Sequence, residues 1–317
     1  MGRRLLTLLF CHETSAARMT DWDDYELIDF GANPRGEGRR LERFGSVVVD
    51  RPCPAASGTK KAAPDAWGDA VARYDGARAA DGKWTPKGAA WAEGQACRVP
   101  VGGGFALGVT PTPAGQVGMF PEQFENWRWI ANRVARAGKP LRVLNLFAYT
   151  GGSTLAAASA AAAEAKHPVE VTHVDASKPS VAIARRNAEL NGLADAPIRW
   201  IVEDALKYAR REARRGNGYD AVILDPPSYG HGPKGEEWRV ERDLPELLGL
   251  CGELCGRAPA FLLATCHSPG VGPAELSAYL ADGVFGSCSQ PAASGALWLK
   301  SRDGRKLESG VVARWPG

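Results

Sequence analysis

The chain lacks any apolar run long enough to cross a bilayer. Its opening stretch, Met1 to Cys11, carries two arginines and a short apolar segment, far below the ~20 residues a spanning helix needs. It also lacks the long apolar core and small-residue cleavage site of a secretory signal, because His12 and Glu13 intervene. Residues 1–20 are therefore expected to be a ragged start, with a short mitochondrial or plastid transit peptide as the alternative. Net charge is only +3 over 317 residues, too small to argue for a nucleic-acid partner and no bar to one. Seven widely scattered cysteines form no disulfide framework, which points to a reducing compartment, here taken as the cytoplasm. Cys251 and Cys255 have no nearby His or Cys pair to complete a zinc set, so no metal is expected. The Gly-x-Gly-x-x-Gly fingerprint is missing, which argues against a nicotinamide-dependent oxidoreductase. No tandem repeat is present either.

What is there suits one large α/β domain with a smaller one beside it. Tyr25–Phe30 and Phe44–Val49 read as strands around a Gly-, Asn- and Pro-rich turn, with Arg35, Arg39, Arg40 and Arg43 clustered between them. That cluster could meet phosphates, but a solvated turn is the plainer reading. Residues 52–94 read as a long surface loop with one helical turn near Ala70 to Arg78, and Phe105–Val109 as a short strand. Residues 21–122 are thus expected to form a small β-rich accessory domain. From Phe124 the pattern turns helical, with Trp127, Ile130 and Val134 on one face. Strands (141–147, 169–174, 198–202, 221–224, 260–264) then alternate with helices (from 153, 178–190, 205–215, 244–255, 275–280). Strands separated by helices mean βαβ units and a largely parallel sheet with helices on both faces, over residues 123–317.

The organising stretch is Leu141 to Ala158: a strand, the turn Ala148-Tyr149-Thr150-Gly151-Gly152, and a helix start. Exposed amides at such a helix start can hold a nucleotide-like ligand, although paired glycines also serve simply to let a helix pack on a sheet. Asp175 ends the next strand about 24 residues past Gly151, the offset at which a carboxylate meets ribose hydroxyls. With Ser177 it could equally cap the following helix. Asp204 and Asp225 end the third and fourth strands in the same manner. Three acids on the carboxyl ends of adjacent strands would line one crevice. The fourth strand runs into Asp225-Pro226-Pro227-Ser228, where two prolines fix the backbone and leave rigid carbonyls beside an acid. Such a turn can hold a planar amine or base edge.

LNLFAYTGG, HVDAS, VED and LDPPSYG, in this order, resemble the class I S-adenosylmethionine-dependent methyltransferases, and most closely the ribosomal-RNA base methyltransferases with a DPPS loop. YELID, RLERFG, VGMFPEQFENW, GPKGEEW and DGRKLESGVVARW resemble one bacterial-type branch of that group, over about Tyr25 to Trp315. The resemblance implies a Rossmann-like fold, S-adenosylmethionine as cofactor and RNA as partner. It places Asn145, Phe147, Tyr149, Thr150, Gly151 and Gly152 around the methionine part, although many relatives have an acid at Asn145. It gives Asp175, with Ala176 and Ser177, the ribose, and Asp204 with Ala205 the adenine edge. Phe120 and Gln123 would cover the cofactor, and Asp225, Pro226, Pro227 and Ser228 would hold the acceptor base.

Cys266, beside His267 in ATCHS, offers a different chemistry. Carbon 5 of cytosine is a poor nucleophile until a thiolate adds to C6, and some relatives carry a cysteine in such a loop. A small buried thiol is the structural alternative. The expected activity is methyl transfer to a base in RNA, ribosomal RNA above all. It would act on C5 if Cys266 is a nucleophile, and otherwise on a ring nitrogen or exocyclic amine; a non-catalytic assembly factor is a further possibility. Lys207, Arg210, Arg211, Arg214 and Arg215 share a helix face that suits the helix dipole better than RNA, while Lys234 and Arg239 are better placed for phosphates.

Overall fold

The computed structural model describes residues 22–76, 81–86, 95–109, 111–231 and 235–317. The expected targeting segment, Arg78 and Lys234 lie outside them. Five N-terminal strands, β1 (Tyr25–Ala32), β2 (Gly38–Phe44), β3 (Val47–Pro52), β4 (Ala72–Tyr74) and β5 (Trp84–Thr85), form one sheet in that order. β6 (Ala96–Val99) and β7 (Phe105–Gly108) make a separate hairpin. Then follow α1 (Phe124–Ala135), β8 (Leu141–Leu146), α2 (Gly152–Glu164), β9 (Val169–Asp175), α3 (Lys178–Leu190), β10 (Ile198–Val202), α4 (Ala205–Arg214) and β11 (Ala221–Leu224). A small hairpin, β12 (Tyr229–His231) and β13 (Glu237–Arg239), precedes α5 (Val240–Leu254), β14 (Phe261–Cys266), α6 (Pro273–Phe285), β15 (Ala293–Lys300) and β16 (Lys306–Trp315).

The main sheet has the order β10-β9-β8-β11-β14-β16-β15. Its first five strands are parallel, and β16 and β15 close it antiparallel. Strand order reverses between β8 and β11, so the crevice outside their carboxyl ends is where such a sheet binds ligands. Alternation along β8 divides the core. Leu141 and Val143 face a cluster with α1 and α2, while Leu144 and Leu146 face one with α4, α5 and α6. The first cluster also takes in Trp22, Tyr25, Leu27, Phe30 and Phe44, so the N-terminal sheet shares its apolar interior with α1 and α2. Helices lie on both faces of the sheet, as the alternation of elements predicts.

Three expectations are corrected. The described part of the segment near Ala70 to Arg78, residues 70–76, holds strand β4, not a helical turn. Val49 and Ala72 pair in parallel there, and a short 3₁₀ turn (Pro64–Asp69) comes before it. The arginine cluster of the first hairpin is a solvated turn only in part: Arg35 is exposed there, but two of the others are not. Arg39 and Arg40 lie within β2 and are buried, because facing carboxylates neutralise them. Arg39 Nε is 2.6 Å from Asp50, Arg40 Nε is 3.2 Å from Glu42, and Arg51 Nε is 2.6 Å from Glu42. The run does not end with the helix after 275 either. The β15–β16 hairpin extends the sheet, and its turn docks on the N-terminal sheet through Arg305 to Asp29 and Arg302 to Glu26 (2.7 Å).

Glu42 and Arg51 are both essentially inaccessible to solvent, at 0% and 1%. Removing one partner leaves a buried charge, so Glu42→Ala should cost about 3–5 kcal/mol in urea unfolding. Arg302→Ala, at an exposed pair, should cost less than about 1 kcal/mol.

Candidate active site

A cleft of about 420 Å³ opens at the carboxyl ends of β8, β9, β10 and β11. Phe120, Phe147, Tyr149, Asp175, Ala176, Ser177, Asp204, Ala205, Asp225, Pro226 and Pro227 all line it, so the three strand-end acids meet in one place. A narrow recess shares Phe120, Phe147, Tyr149 and Asp225 with the cleft and adds Gln123, Asn145, Thr150 and Gly152. A larger hollow, about 650 Å³, lies beside Leu141 at the opposite end of β8 and contains none of these acids.

Two aromatic pairs shape the cleft: Phe147 with Trp238 (centroids 4.8 Å apart) and Phe120 with Tyr149 (5.3 Å). Phe147 and Tyr149 both hold left-handed backbone, φ 56° and 49°. Bulky residues rarely adopt it, and such strain concentrates at ligand sites. The Tyr149 hydroxyl is buried without a partner, and burial pushes its pKa up to about 12, so it stays neutral. Asp175 accepts the amides of Tyr149 (2.7 Å) and Ser177 (2.8 Å), and burial raises its carboxyl above the ordinary range. Ser177, not Asp175, caps α3. Asp204 caps α4 through the Lys207 amide (2.9 Å) and still faces the cleft.

The cleft's fixed point is Asp225. Gln123 Nε2 donates to its Oδ2 (3.1 Å), the Thr265 hydroxyl donates to Oδ1, and His267 Nε2 lies 3.3 Å from Oδ1. Burial alone would lower the His267 pKa. The hydrogen bond and charge of Asp225, the charge of Glu122 and a main-chain bond with Ser309 outweigh it and raise it to about 9. An imidazolium thus faces the cleft at neutral pH. Gly310 on β16 (φ +108°) makes room for it, since a Cβ there would lie 2.5 Å from His267 Nδ1.

A family model for S-adenosylmethionine-dependent methyltransferases matches residues 101–282, just over half of the chain. The crystal structure of a SAM-dependent methyltransferase from Agrobacterium tumefaciens is 37% identical with TM-score 0.77, covering 95% of this chain and 91% of that one. The chain belongs to the S-adenosylmethionine-dependent methyltransferases. A SAM-dependent methyltransferase from Streptococcus mutans shares the fold at 19% identity and TM-score 0.62, over 91% of this chain and 74% of that one. Two curated relatives match a shorter segment. Ribosomal RNA large subunit methyltransferase I of Aeromonas hydrophila is 33% identical over 40% of this chain and 30% of its own length. The K/L enzyme of Shewanella frigidimarina is 34% identical over 37% and 15% respectively. The match thus spans less than a third of either curated relative.

The methyltransferase cofactor fits the cleft: apolar rings for a flat adenosine, partly free carboxylates at Asp175 and Asp204, and space of ligand size. Other expected site residues have structural duties as well. Asn145 is buried and donates to Thr154 (2.9 Å), which meets a His173 held neutral by burial, its pKa about 3. The Thr150 hydroxyl donates to the Gly118 carbonyl (2.6 Å). Gly151 adopts φ +93° ahead of α2, and a Cβ on Gly152 would lie 2.7 Å from the Trp127 ring. Helix packing therefore demands both glycines, whatever the ligand needs. The Pro227 carbonyl is not free, because the Trp238 indole donates to it (2.8 Å). Ser228 bonds Ser268 (2.7 Å) and is absent from the cleft lining. Cys266 is 1% exposed, within the cluster beneath α5 and α6, and is absent from the lining too.

Trp238, Gln116, Glu122 and Gly230 line the cleft without having been singled out, and His267 enters directly, not as a neighbour of Cys266. Glu122 stands within the quoted VGMFPEQFENW, but nothing in that motif separates it from a surface acid.

His267 holds its proton more tightly when folded than in the unfolded chain, whose ordinary value is near 6.5. The pair's contribution to stability is therefore complete below about pH 6.5 and is lost as pH rises through about 9. His267→Gln should lower the melting temperature at about pH 6 and have a smaller effect at about pH 10. Equal losses at both pH values would mean that the ring is uncharged. Gly310→Ala should lower the melting temperature at both pH values, because on a backbone at φ +108° its Cβ would meet the Cys266 carbonyl oxygen at 2.8 Å as well as the ring.

Proposed function

We propose that this methyltransferase acts on a base in RNA, with ribosomal RNA as the substrate class, and that it works without covalent catalysis. The observation that carries this reading is Asp225 held by three partners at the Pro226-Pro227 turn, inside an aromatic-walled cleft. The names of the curated relatives add the RNA. When bound, S-adenosylmethionine supplies a methyl carbon made electrophilic by its sulfonium.

The chain's own task is then positioning, which suffices for an in-line displacement when a lone pair is correctly aimed. Asp175 accepts the ribose hydroxyls, Asp204 and Ala205 meet the adenine edge, and Phe120, Phe147 and Tyr149 exclude water. Asp225 accepts an N–H of the acceptor and turns its lone pair toward the methyl, while the Pro226 carbonyl fixes the base edge. The burial of Cys266 favours a ring nitrogen or exocyclic amine over C5 of cytosine, because a thiol in that position cannot reach a base.

On α4, most cations already have partners: Arg210 with Glu246, Arg211 with Glu203, and Arg215 with Glu212. That face therefore offers little charge to RNA. Arg239 pairs with Glu237 at 2.9 Å on the exposed β12–β13 hairpin, where phosphate could exchange with the carboxylate. No helix among the described residues is long and apolar enough to cross a membrane. The six described cysteines are all free thiols. We place the protein in the cytoplasm on that basis.

The test is methyl transfer from labelled S-adenosylmethionine to unmodified large-subunit ribosomal RNA, followed by nucleoside mapping. Asp225→Asn should reduce turnover by roughly a hundredfold or more, and Cys266→Ala should leave it within about twofold. A dead Cys266→Ala enzyme of wild-type stability would restore the covalent route. Asp175→Ala should weaken S-adenosylhomocysteine binding by roughly tenfold to a hundredfold in calorimetry, through lost charge-assisted hydrogen bonds.

A further inference from the structure

Gln116 lines the cleft, yet the N-terminal sheet is what places it there. Residues 112–116 form a turn, closed by the Thr112 amide on the Gln116 carbonyl (2.8 Å) and the Gln116 amide on the Thr112 hydroxyl (3.1 Å). The Trp84 indole of β5 donates to the Thr112 carbonyl (2.8 Å), and the Tyr74 hydroxyl of β4 donates to the Pro113 carbonyl (3.0 Å). From β3, Arg51 donates to Glu42 through Nε and Nη2 and gives Nη1 to the Gln116 side-chain oxygen (2.7 Å). An arginine only donates, so the Gln116 side-chain amide has one orientation, with its oxygen on Arg51 and its nitrogen turned away. That nitrogen has no partner among the described residues and, unlike the Tyr149 hydroxyl, it is not sealed from solvent. Polarisation by the guanidinium makes its N–H groups stronger donors. The stretch 116–123 crosses the strand ends. At one end Gln123 meets Asp225, which leaves β11. At the other, Gln116 is bonded to Arg51, which acts with Asp175 through space on the Tyr149 hydroxyl. Gln116 thus belongs to the β9 side of the cleft, where Asp175 stands.

We propose that Gln116 is a further cofactor-binding residue, its side-chain amide donating to the ribose oxygens whose hydrogens Asp175 takes, and that Arg51 is its positioning residue. The inference rests on the assignment of Asp175 to the ribose given above. An ionised carboxylate only accepts, so it satisfies the hydroxyl hydrogens of the ribose and leaves their oxygen lone pairs unmatched. Gln116 supplies the complementary donor from the facing stretch of chain. The N-terminal sheet thereby enters the affinity for the cofactor through one guanidinium and one amide, although none of its strands lines the cleft.

The test is Gln116→Glu, which keeps the side-chain length and the oxygen that Arg51 binds but replaces the donor with an acceptor. Wild type and variant are titrated with S-adenosylhomocysteine and with its 2′,3′-dideoxy analogue in calorimetry, the weaker ligand being read by displacement, and both proteins are melted. The variant should bind S-adenosylhomocysteine roughly tenfold to a hundredfold more weakly than wild type. It should bind the analogue within about twofold of wild type, because the group that Gln116 meets is then absent. It should melt no lower, since Arg51 faces a carboxylate in place of an amide. Unchanged affinity for S-adenosylhomocysteine overturns the proposal, and with a shifted melting temperature it reduces Gln116 to a structural tie for Arg51. A penalty of equal size on the analogue overturns it as well, by moving the contact off the ribose. A wild type that binds the two ligands equally overturns the ribose assignment of Asp175 and this inference with it. A wild type that discriminates between them, beside a variant of full affinity, overturns the inference alone.

Discussion

The geometry of the cleft depends on one carboxylate. Asp225 leaves β11 at the centre of the sheet and is held from three directions: by Gln123 ahead of α1, by Thr265 on β14, and by His267 just beyond β14. These groups come from segments about 40 to 100 residues apart in the chain, so the acid is rigid only once the sheet is complete. The cost of fixing it is met by partners that are themselves fixed. Gln123 also binds Asn126 (2.6 Å), and Thr265 also contacts the Leu224 carbonyl. An acid prepared in this way needs no reorganisation when an acceptor arrives, which is where positioning catalysis gains most.

The rest of the cleft follows from packing on the two faces of the sheet. Trp238 both packs its ring at a tilt against Phe147 and ties down Pro227, so the small β12–β13 hairpin acts as a brace on the DPPS turn. On the other side, Asn187 of α3 and Asn191 just past its end hold the edge of β7 by side-chain hydrogen bonds, and the Asn187 side-chain amide also donates to the Thr150 carbonyl (2.9 Å). The β6–β7 hairpin and the glycine turn are thereby fixed to one helix. The positive φ at Phe147 and Tyr149 is stable only because these contacts over-determine the loop.

Much of the main sheet was legible in the sequence. The strands at 198–202 and 221–224 and the helix at 178–190 lie where apolar periodicity and the Asn191-Gly192 stop place them. Local pattern could not reveal partners distant in sequence. Arg39, Arg40 and Arg51 look like surface charges until Glu42 and Asp50 are seen paired with them. β4 is three residues long and exists because β3 pairs with it. β15, mostly exposed and interrupted by Gly295, has little apolar alternation of its own and is a strand because β16 pairs with it. In the site, the strand-end acids were legible because chain direction and the end of a strand determine where they point. Glu122 and His267 were not, since their significance lies in being brought together from 145 positions apart.

The position of Gly310 has a consequence for biosynthesis. The imidazole of His267 rests against β16, which follows every parallel strand in the chain. A nascent chain emerging from its ribosome can assemble β8 to β14 and their helices while that seat is still inside the exit tunnel. Until β16 arrives, His267 lacks its main-chain bond with Ser309 and β14 remains an open edge. The parallel part of the sheet can therefore be built before the wall behind His267 is in place.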